Sequence, residues 1–372
     1  MKIALVHDYL TQLGGAEKVL DSFQGVWPTS PVFVLVYNRK RVSQVFPADK
    51  IKTSWLQKLP LSVKNYEWYL MLMPLAIESI PLDSYDIVLS SASSIAKGIK
   101  VGPQSLHICY CHTPTRYLWH DSSHYVEELK YNKIVKKIIP LFLKRLKNWD
   151  LLAAQRVDYF IANSRLVQRR IKQYYGQDSH VIYPPVDTDK FYISAKVDNY
   201  YLSGGRLVAY KRYDLAIRAF NKLGIKLKIF GNGPDYPRLK KIAKKNIEFL
   251  GAVSDEQKAQ LYSQAIAFIH PQVEDFGITA VESMASGRPV IAYGSGGALE
   301  TIIDGVSGEF FDEQSWESLA NQVIHFQPEK YEAHIVKSHA AKFNTQRFKR
   351  EIKAYIDSLA RDFEISRVFK LP

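Results

Sequence analysis

Short runs of β-branched and aliphatic residues recur along this chain, each followed by a stretch with helical spacing, and this alternation restricts its fold more than any other feature. Ile3–Val6, Val32–Val36, Ile87–Leu89, Leu106–Cys111 and Tyr159–Asn163 have strand character. Strands separated by helices are joined by crossovers, so the pattern predicts a parallel sheet covered by helices. The adjacent prolines of Tyr183-Pro184-Pro185-Val186-Asp187 interrupt it, and a polar stretch to about Asn199 follows. The pattern then resumes in Tyr200–Ser203, Lys226–Phe230, Ile247–Leu250, Ala267–His270 and Pro289–Tyr293. A chain of 372 residues has room for two cores. The expectation is an α/β protein with one domain over residues 1–190, a second over 198–346, and a linker at the prolines. Phe348, Ile352, Tyr355, Ile356 and Leu359 recur at helical spacing, so a last helix over 347–372 has an apolar face and is expected to pack back on the first domain.

Composition narrows the partners. Lysine and arginine number 50 against 37 acidic residues, a net charge of +13, which favours an anionic partner: nucleotide phosphates, acidic lipid or nucleic acid. Neither a recognised reading motif nor a basic tail accompanies the charge, which disfavours nucleic acid. The only cysteines, Cys109 and Cys111, lie one residue apart in a strand-like run. They supply neither a disulfide framework nor the separated thiol pairs of a zinc site, so no metal and a cytoplasmic setting are expected. The N-terminus enters a strand directly, without the layout of a signal peptide. The most apolar long stretch, Tyr69–Leu82, falls short of a bilayer span and contains Pro74 and Glu78.

The segment from His270 to Glu282 carries the most chemistry. Glu274-Asp275-Phe276-Gly277-Ile278 follows a strand and opens a helix that ends near Ser286-Gly287. Gly277 lets backbone approach a ligand, and the amides of Ile278 and Thr279 can hold a phosphate at the positive end of the helix. Glu274 and Glu282 are suited to sugar hydroxyls, since carboxylates accept hydrogen bonds from vicinal groups. The plainer reading is that two such glutamates are solvated helix charges. Upstream, Gly204-Gly205-Arg206 with Lys211 sets two cations beside a glycine turn, able to neutralise a departing diphosphate. Gly231-Asn232-Gly233-Pro234 also follows a strand, a pattern that by itself is often only a tight turn.

In order, these motifs are followed by Ala285-Ser286-Gly287-Arg288-Pro289-Val290, Gly296-Gly297-Ala298-Leu299-Glu300 and Gly305-Val306-Ser307-Gly308-Glu309-Phe310. The whole resembles the donor-binding half of the family-4 retaining glycosyltransferases, and the N-terminal half resembles the family more loosely. The resemblance implies the GT-B fold, two Rossmann-like domains with parallel sheets facing across a cleft. It gives Glu282 the donor ribose, Glu274 with Asp275, Phe276, Gly277 and Ile278 the sugar hydroxyls and phosphates, and Arg206 and Lys211 the leaving diphosphate. Phe249–Ser254 corresponds to the loop that meets the base, with Val253 as its apolar platform. Arg212 stands where a glycine often follows the family lysine, which leaves the local loop shape open.

In the first half, Gly14-Gly15-Ala16-Glu17 follows the first strand and opens a helix. Such a pair is either a plain strand-to-helix turn or, as the resemblance implies, the place where the Gly15 amide meets the diphosphate. His112 stands at the carboxyl end of a strand, where ligands bind in open sheets, and the resemblance gives it contact with the transferred sugar. Arg116, Tyr117, Trp119 and Asn163 are acceptor-side candidates, although Asn163-Ser164 is equally a helix cap. The resemblance implies transfer of a hexose, with retention and without metal, from a nucleotide-diphosphate sugar to a glycan or lipid-linked acceptor in cell-surface polysaccharide biosynthesis. Domain closure would exclude water. A UDP-glucose-type donor is favoured. GDP-mannose is second, because the Cys-His-Thr-Pro-Thr-Arg region resembles bacterial mannosyltransferases. A sugar-nucleotide epimerase of the same fold is the rival from another class. Finally, KYNKIVKKIIPLFLKRLK at 130–147 interleaves basic and apolar residues. It is either an anionic-membrane surface, for weak peripheral association, or a core-facing helix with a solvated basic side, with a break expected at Pro140.

Overall fold

The computed structural model describes residues 1–119 and 133–369. The chain divides into two compact units: Met1–Tyr183 with the segment from Phe348 onward, and Pro184–Arg347.

In the first unit β1 (Ile3–His7), β2 (Val32–Val34), β3 (Ile51–Thr53), β4 (Ile87–Ala92), β5 (Leu106–Cys111), β6 (Tyr159–Ala162) and β7 (Ser179–Val181) form one sheet. Its order is β3-β2-β1-β4-β5-β6-β7, and every pairing is parallel. Helices cover both faces, so the central strands are apolar without alternation. Ala4 and Val6 of β1 enter a core with Val88, Cys109 and Phe160. Ile3 and Leu5 enter the opposite one with Leu20, Phe23, Phe348, Ile352 and Ile356. The helix Thr345–Phe369 closes that second core, with the Phe348 ring stacked 5.9 Å from Phe23 and edge-on 5.8 Å from Tyr110. Burying each such side chain contributes about 1.5–3 kcal/mol of transfer free energy, which holds the C-terminal segment to the first unit.

The second unit repeats the plan. β8 (Tyr201–Gly204), β9 (Leu227–Phe230), β10 (Ile247–Gly251), β11 (Phe268–His270), β12 (Val290–Tyr293) and β13 (Gly308–Phe311) lie in the order β10-β9-β8-β11-β12-β13, again parallel. Both sheets therefore reverse their winding beside the first strand, between β1 and β4 and between β8 and β11.

The strands absent from the sequence reading, β3, β7 and β13, are all sheet edges. An edge strand buries less and lacks the apolar run of a central one; in Ile51-Lys52-Thr53 no residue is fully buried. The break expected at Pro140 does not occur. One helix runs from Lys133 to Ala154 through it, at the expense of a single backbone bond on a side where Pro140 is exposed. Among the described residues no helix is long and apolar enough to cross a membrane.

Candidate active site

In an open α/β sheet, ligands bind beyond the carboxyl ends of the strands where the winding reverses. In the second unit that point is flanked by Gly204-Gly205-Arg206 after β8 and by the segment from Pro271 to Gly277 after β11. Gly205 has φ +131°. A Cβ there would stand 3.1 Å from the Tyr213 hydroxyl, 3.5 Å from Lys211 Nζ and 4.0 Å from Thr279 Cγ2, so these three side chains converge on one patch of backbone.

Lys211 Nζ lies 2.8 Å from Glu274 Oε1, with the two side chains only 13% and 14% exposed. Burial alone would depress the Lys211 ammonium. The Glu274 charge more than offsets it and holds the group above its ordinary value, so Lys211 stays protonated. Gln272 Nε2 donates to Glu274 Oε1 at 3.5 Å and meets His270 Nδ1 at 3.1 Å. A donor at Nδ1 leaves the His270 proton on Nε2, and burial pushes this imidazole down to about 4 and keeps it neutral. His270 Nε2, Gln272 Oε1, Thr279 Oγ1 and the Tyr213 hydroxyl are buried atoms with no hydrogen-bond partner. Each costs about 1–3 kcal/mol when left unpaired, so they are candidates for contact with a polar ligand or an ordered water.

Glycines shape the loops. Gly231 has φ +105°, and a Cβ on it would fall 1.8 Å from the Gly205 carbonyl oxygen; one on Gly233 would fall 2.1 Å from that of Leu207. The Gly-x-Gly pattern therefore lets the exit loop of β9 close on that of β8. Gly297 does the same for the glutamate loop: its amide donates to the Glu274 carbonyl at 2.8 Å, and a Cβ would fall 2.5 Å from Phe276 Cα. Phe276 is buried edge-on against Phe343 at 5.4 Å. Gly277, at φ +91°, opens the helix Ile278–Ala285, so the Ile278 and Thr279 amides lie at its N-terminus.

Glu274 and Glu282 are not solvated charges. Glu282 is buried, 2.9 Å from Lys258 Nζ, with the Tyr262 hydroxyl donating to it at 3.4 Å. Val253 is half-buried between Gly251 and Ser254, whose hydroxyl and Gln257 form a capping box for the helix Asp255–Gln264. Asp275 is half-buried and Arg206 exposed. Arg212 takes the left-handed conformation itself, at φ 52° and ψ 35°, with its guanidinium on Asp214 at 3.3 Å. The loop thus has the shape a glycine would adopt, with an arginine bearing the strain.

In the first unit Gly15 is the exposed first residue of the helix Gly15–Val26. His112, half-buried, follows β5 and hydrogen-bonds Ser91 Oγ through Nε2 at 2.8 Å. Arg116, Tyr117 and Trp119 lie on the short helix Arg116–Trp119. Tyr117 shares a hydrogen bond with Ser94 at 2.7 Å. The Trp119 indole N–H donates to Asp150 at 2.8 Å, and its ring stacks on Tyr174 at 5.1 Å. Asn163 is buried, and its neighbour Ser164 caps the helix Arg165–Tyr175 through Val167 N. Cys109 and Cys111 are buried thiols in no disulfide, with burial raising Cys109 to about 12.

Sequence reasoning missed Tyr213, His270 and Gln272. A signal for two of them was present: His270, Gln272 and Glu274 place polar groups two residues apart at the end of an apolar strand, which aims them to one side.

Two family models divide the chain. Glycosyltransferase Family 4 matches residues 14–190, and Glycosyl transferases group 1 matches residues 187–343. The chain belongs to the family-4 glycosyltransferases. Its fold is GT-B, as in the crystal structure of Anabaena Alr3699/HepE in complex with UDP-glucose, with a TM-score of 0.71 over 96% of this chain and all of that one at 18% identity. An uncharacterized glycosyltransferase of Methanocaldococcus jannaschii is 28% identical over 46% of this chain, a match that spans half of the archaeal protein. The alpha-1,3/1,6-mannosyltransferase ALG2 of Saccharomyces cerevisiae is 24% identical over 82% of this chain and 72% of its own length.

Proposed function

We propose that this protein is a retaining glycosyltransferase that moves a hexose from a nucleotide-diphosphate sugar to a hydroxyl of a glycan or lipid-linked acceptor in cell-surface polysaccharide biosynthesis, without a metal. The observation that carries the reading is the Lys211–Glu274 pair at the winding reversal of the second unit, beside four buried polar atoms that lack protein partners. Lys211 and Arg206 balance the charge that develops on the diphosphate as the anomeric C–O bond breaks and its electron pair passes to the phosphate oxygen. The acceptor hydroxyl attacks from the same face, and the departing phosphate takes its proton. Glu274, Asp275, Phe276 and Gly277 with the Ile278 and Thr279 amides hold the sugar and phosphates, Glu282 the ribose and Val253 the base. Gly231 lines the donor loop. In the first unit Gly15 meets the diphosphate, His112 the transferred sugar, and Arg116, Tyr117, Trp119 and Asn163 serve the acceptor.

UDP-glucose is the favoured donor, a choice supported by the likeness to Alr3699/HepE in its complex with that molecule. GDP-mannose is the second reading, supported by the mannosyltransferase relative. A thermal-shift series of UDP, GDP and ADP sugars with a chelator present, followed by NMR of the product's anomeric configuration, tests both. An inverted product, a released isomer without acceptor, or no response to any nucleotide sugar refutes the proposal.

Weak peripheral binding to an anionic membrane, at the inner face of the plasma membrane, belongs to the same reading. Its support is the helix Lys133–Ala154, where exposed Leu141 and Phe142 adjoin exposed Lys144 and Arg145; Lys130, Tyr131 and Asn132 of the basic segment lie outside the described residues. Flotation with acidic vesicles at low salt tests it, and absence of binding ends it.

A further inference from the structure

The winding reversal of the first unit carries its own polar arrangement. His7, the last residue of β1, is the register partner of Ser91 in β4, and His112 follows β5, its amide donating to the Ala92 carbonyl at 2.9 Å. Three adjacent strands thus bring His7, Ser91 and His112 into a row. His7 Nδ1 is 3.1 Å from both the carbonyl and the hydroxyl oxygen of Ser91, and Ser91 Oγ is 2.8 Å from His112 Nε2. On the far side, His7 Nε2 is 3.9 Å from Glu17 Oε1, an ion-pair distance. His7, Ser91 and Glu17 are all buried.

The protons in this row can be assigned from donor and acceptor chemistry alone. A carbonyl only accepts, so His7 Nδ1 carries a proton. His7 Nε2 faces the Glu17 carboxylate at an ion-pair distance, which favours the imidazolium form. The Ser91 hydroxyl accepts from His7 and has one proton to give, and the bonded acceptor for it is His112 Nε2. Were His112 to donate there instead, the Ser91 proton would be stranded in the interior at a cost of about 1–3 kcal/mol. His112 is then neutral, with its proton on Nδ1. Burial opposes a charged His7, but Glu17 and Asp8 raise it above its ordinary value; burial first and the His7 charge second push His112 down to about 3.

We propose that Glu17, His7 and Ser91 are positioning residues that hold His112 in one tautomer, Nε2 accepting from Ser91 and Nδ1–H kept as a single neutral donor for a hydroxyl oxygen of the transferred sugar. This rests on the reading of His112 as a sugar contact. It deepens that reading by naming the ligand chemistry: a fixed neutral donor suits a hydroxyl, whereas an imidazolium would compete for the diphosphate.

The test is ¹⁵N–¹H correlation of the histidine rings in the full-length protein, with His112 assigned by its loss in His112→Asn. The expected spectrum has His112 protonated at Nδ1 and His7 doubly protonated. Ser91→Ala should convert His112 to a tautomer mixture and lower kcat by roughly 10–100-fold, the usual worth of a group that orients a site histidine, with a smaller change in donor KM. Ser91→Thr, which restores the hydroxyl, should recover both tautomer and rate. Glu17→Gln should remove the second proton from His7. A wild-type His112 protonated at Nε2, or a tautomer unchanged by Ser91→Ala, overturns the inference whatever the activity. Full turnover by His112→Asn, with the wild-type tautomer as assigned, overturns instead the sugar-contact reading and with it the ligand named here.

Discussion

The Lys211–Glu274 pair can be tested so that its structural and chemical contributions separate. Replacing Lys211 by Met leaves Glu274 largely shielded and without its counter-charge. Breaking a buried pair this way costs about 3–5 kcal/mol and an exposed one about 0–1. With the two side chains 13% and 14% exposed, a value between these limits, about 2 kcal/mol, is expected. For a unit of this size that corresponds to a fall in Tm of about 4–8 °C. Glu274→Gln should cost a similar amount. The double variant removes both charges and should recover at least about 1 kcal/mol relative to the sum of the singles. Turnover should behave differently. If Lys211 balances charge on the leaving diphosphate, losing it costs about 10²–10³ in kcat, and removing Glu274 as well returns none of it. The measurements are calorimetric Tm values and kcat at saturating donor for all four proteins. Activity that recovers in step with stability in the double variant, or a Lys211→Met enzyme within tenfold of wild type, refutes the reasoning.

Other outcomes follow from backbone and burial. Gly231→Ala should destabilise the second unit by on the order of 3 kcal/mol or more, since its Cβ would overlap the Gly205 carbonyl. Gly305→Ala, also left-handed but with nothing within 4 Å, should cost only about 1 kcal/mol; equal losses in chemical denaturation would contradict the packing account. Arg212→Gly should fold with stability within about 1 kcal/mol of wild type, relief of the left-handed strain offsetting the added freedom of the unfolded chain, whereas Arg212→Val should be clearly less stable. His107 is buried with Nε2 on Ser90 at 2.9 Å, and burial holds it to about 3. Its folded value is below its unfolded one, so its contribution is present above pH 6.5 and is lost as pH falls toward 3, at about 1.4 kcal/mol per unit. His107→Leu should flatten the acid limb of a stability–pH profile by about one proton, and an unchanged slope would refute the assignment.

Much of this architecture was legible because a sheet covered on both faces writes its central strands as unbroken apolar runs. β1, β5 and β9 needed no other clue. The edges were not legible: Ile51-Lys52-Thr53 is paired on one side only, and nothing in three half-exposed residues distinguishes it from a loop. Within the site, Gly277, Glu274 and Lys211 could be read because each supplies a conformation or charge that few residues can. Tyr213 could not, because a tyrosine in the first turn of an amphipathic helix is ordinarily core, and only the fold brings its hydroxyl beside Gly205 without a partner.

The same comparison separates the two units. Both reverse their winding beside their first strand and both bury polar groups there, but the first unit satisfies many of its own. Asp8 accepts four backbone amides, from Ser93, Ser94, Ile95 and Ala96. Asp150 takes Thr115, Trp119 and Tyr175 as well as the ammonium of Lys97. The second unit leaves Tyr213, His270, Gln272 and Thr279 open beside one ion pair. Unpaired buried groups are a standing cost to the fold. On the proposed function, the hydroxyls and phosphate oxygens of the donor would satisfy them. Binding of a nucleotide sugar should therefore raise the Tm of Tyr213→Phe and Thr279→Val less than that of the wild type. Equal ligand-induced shifts in all three proteins would mean that these groups do not meet the ligand.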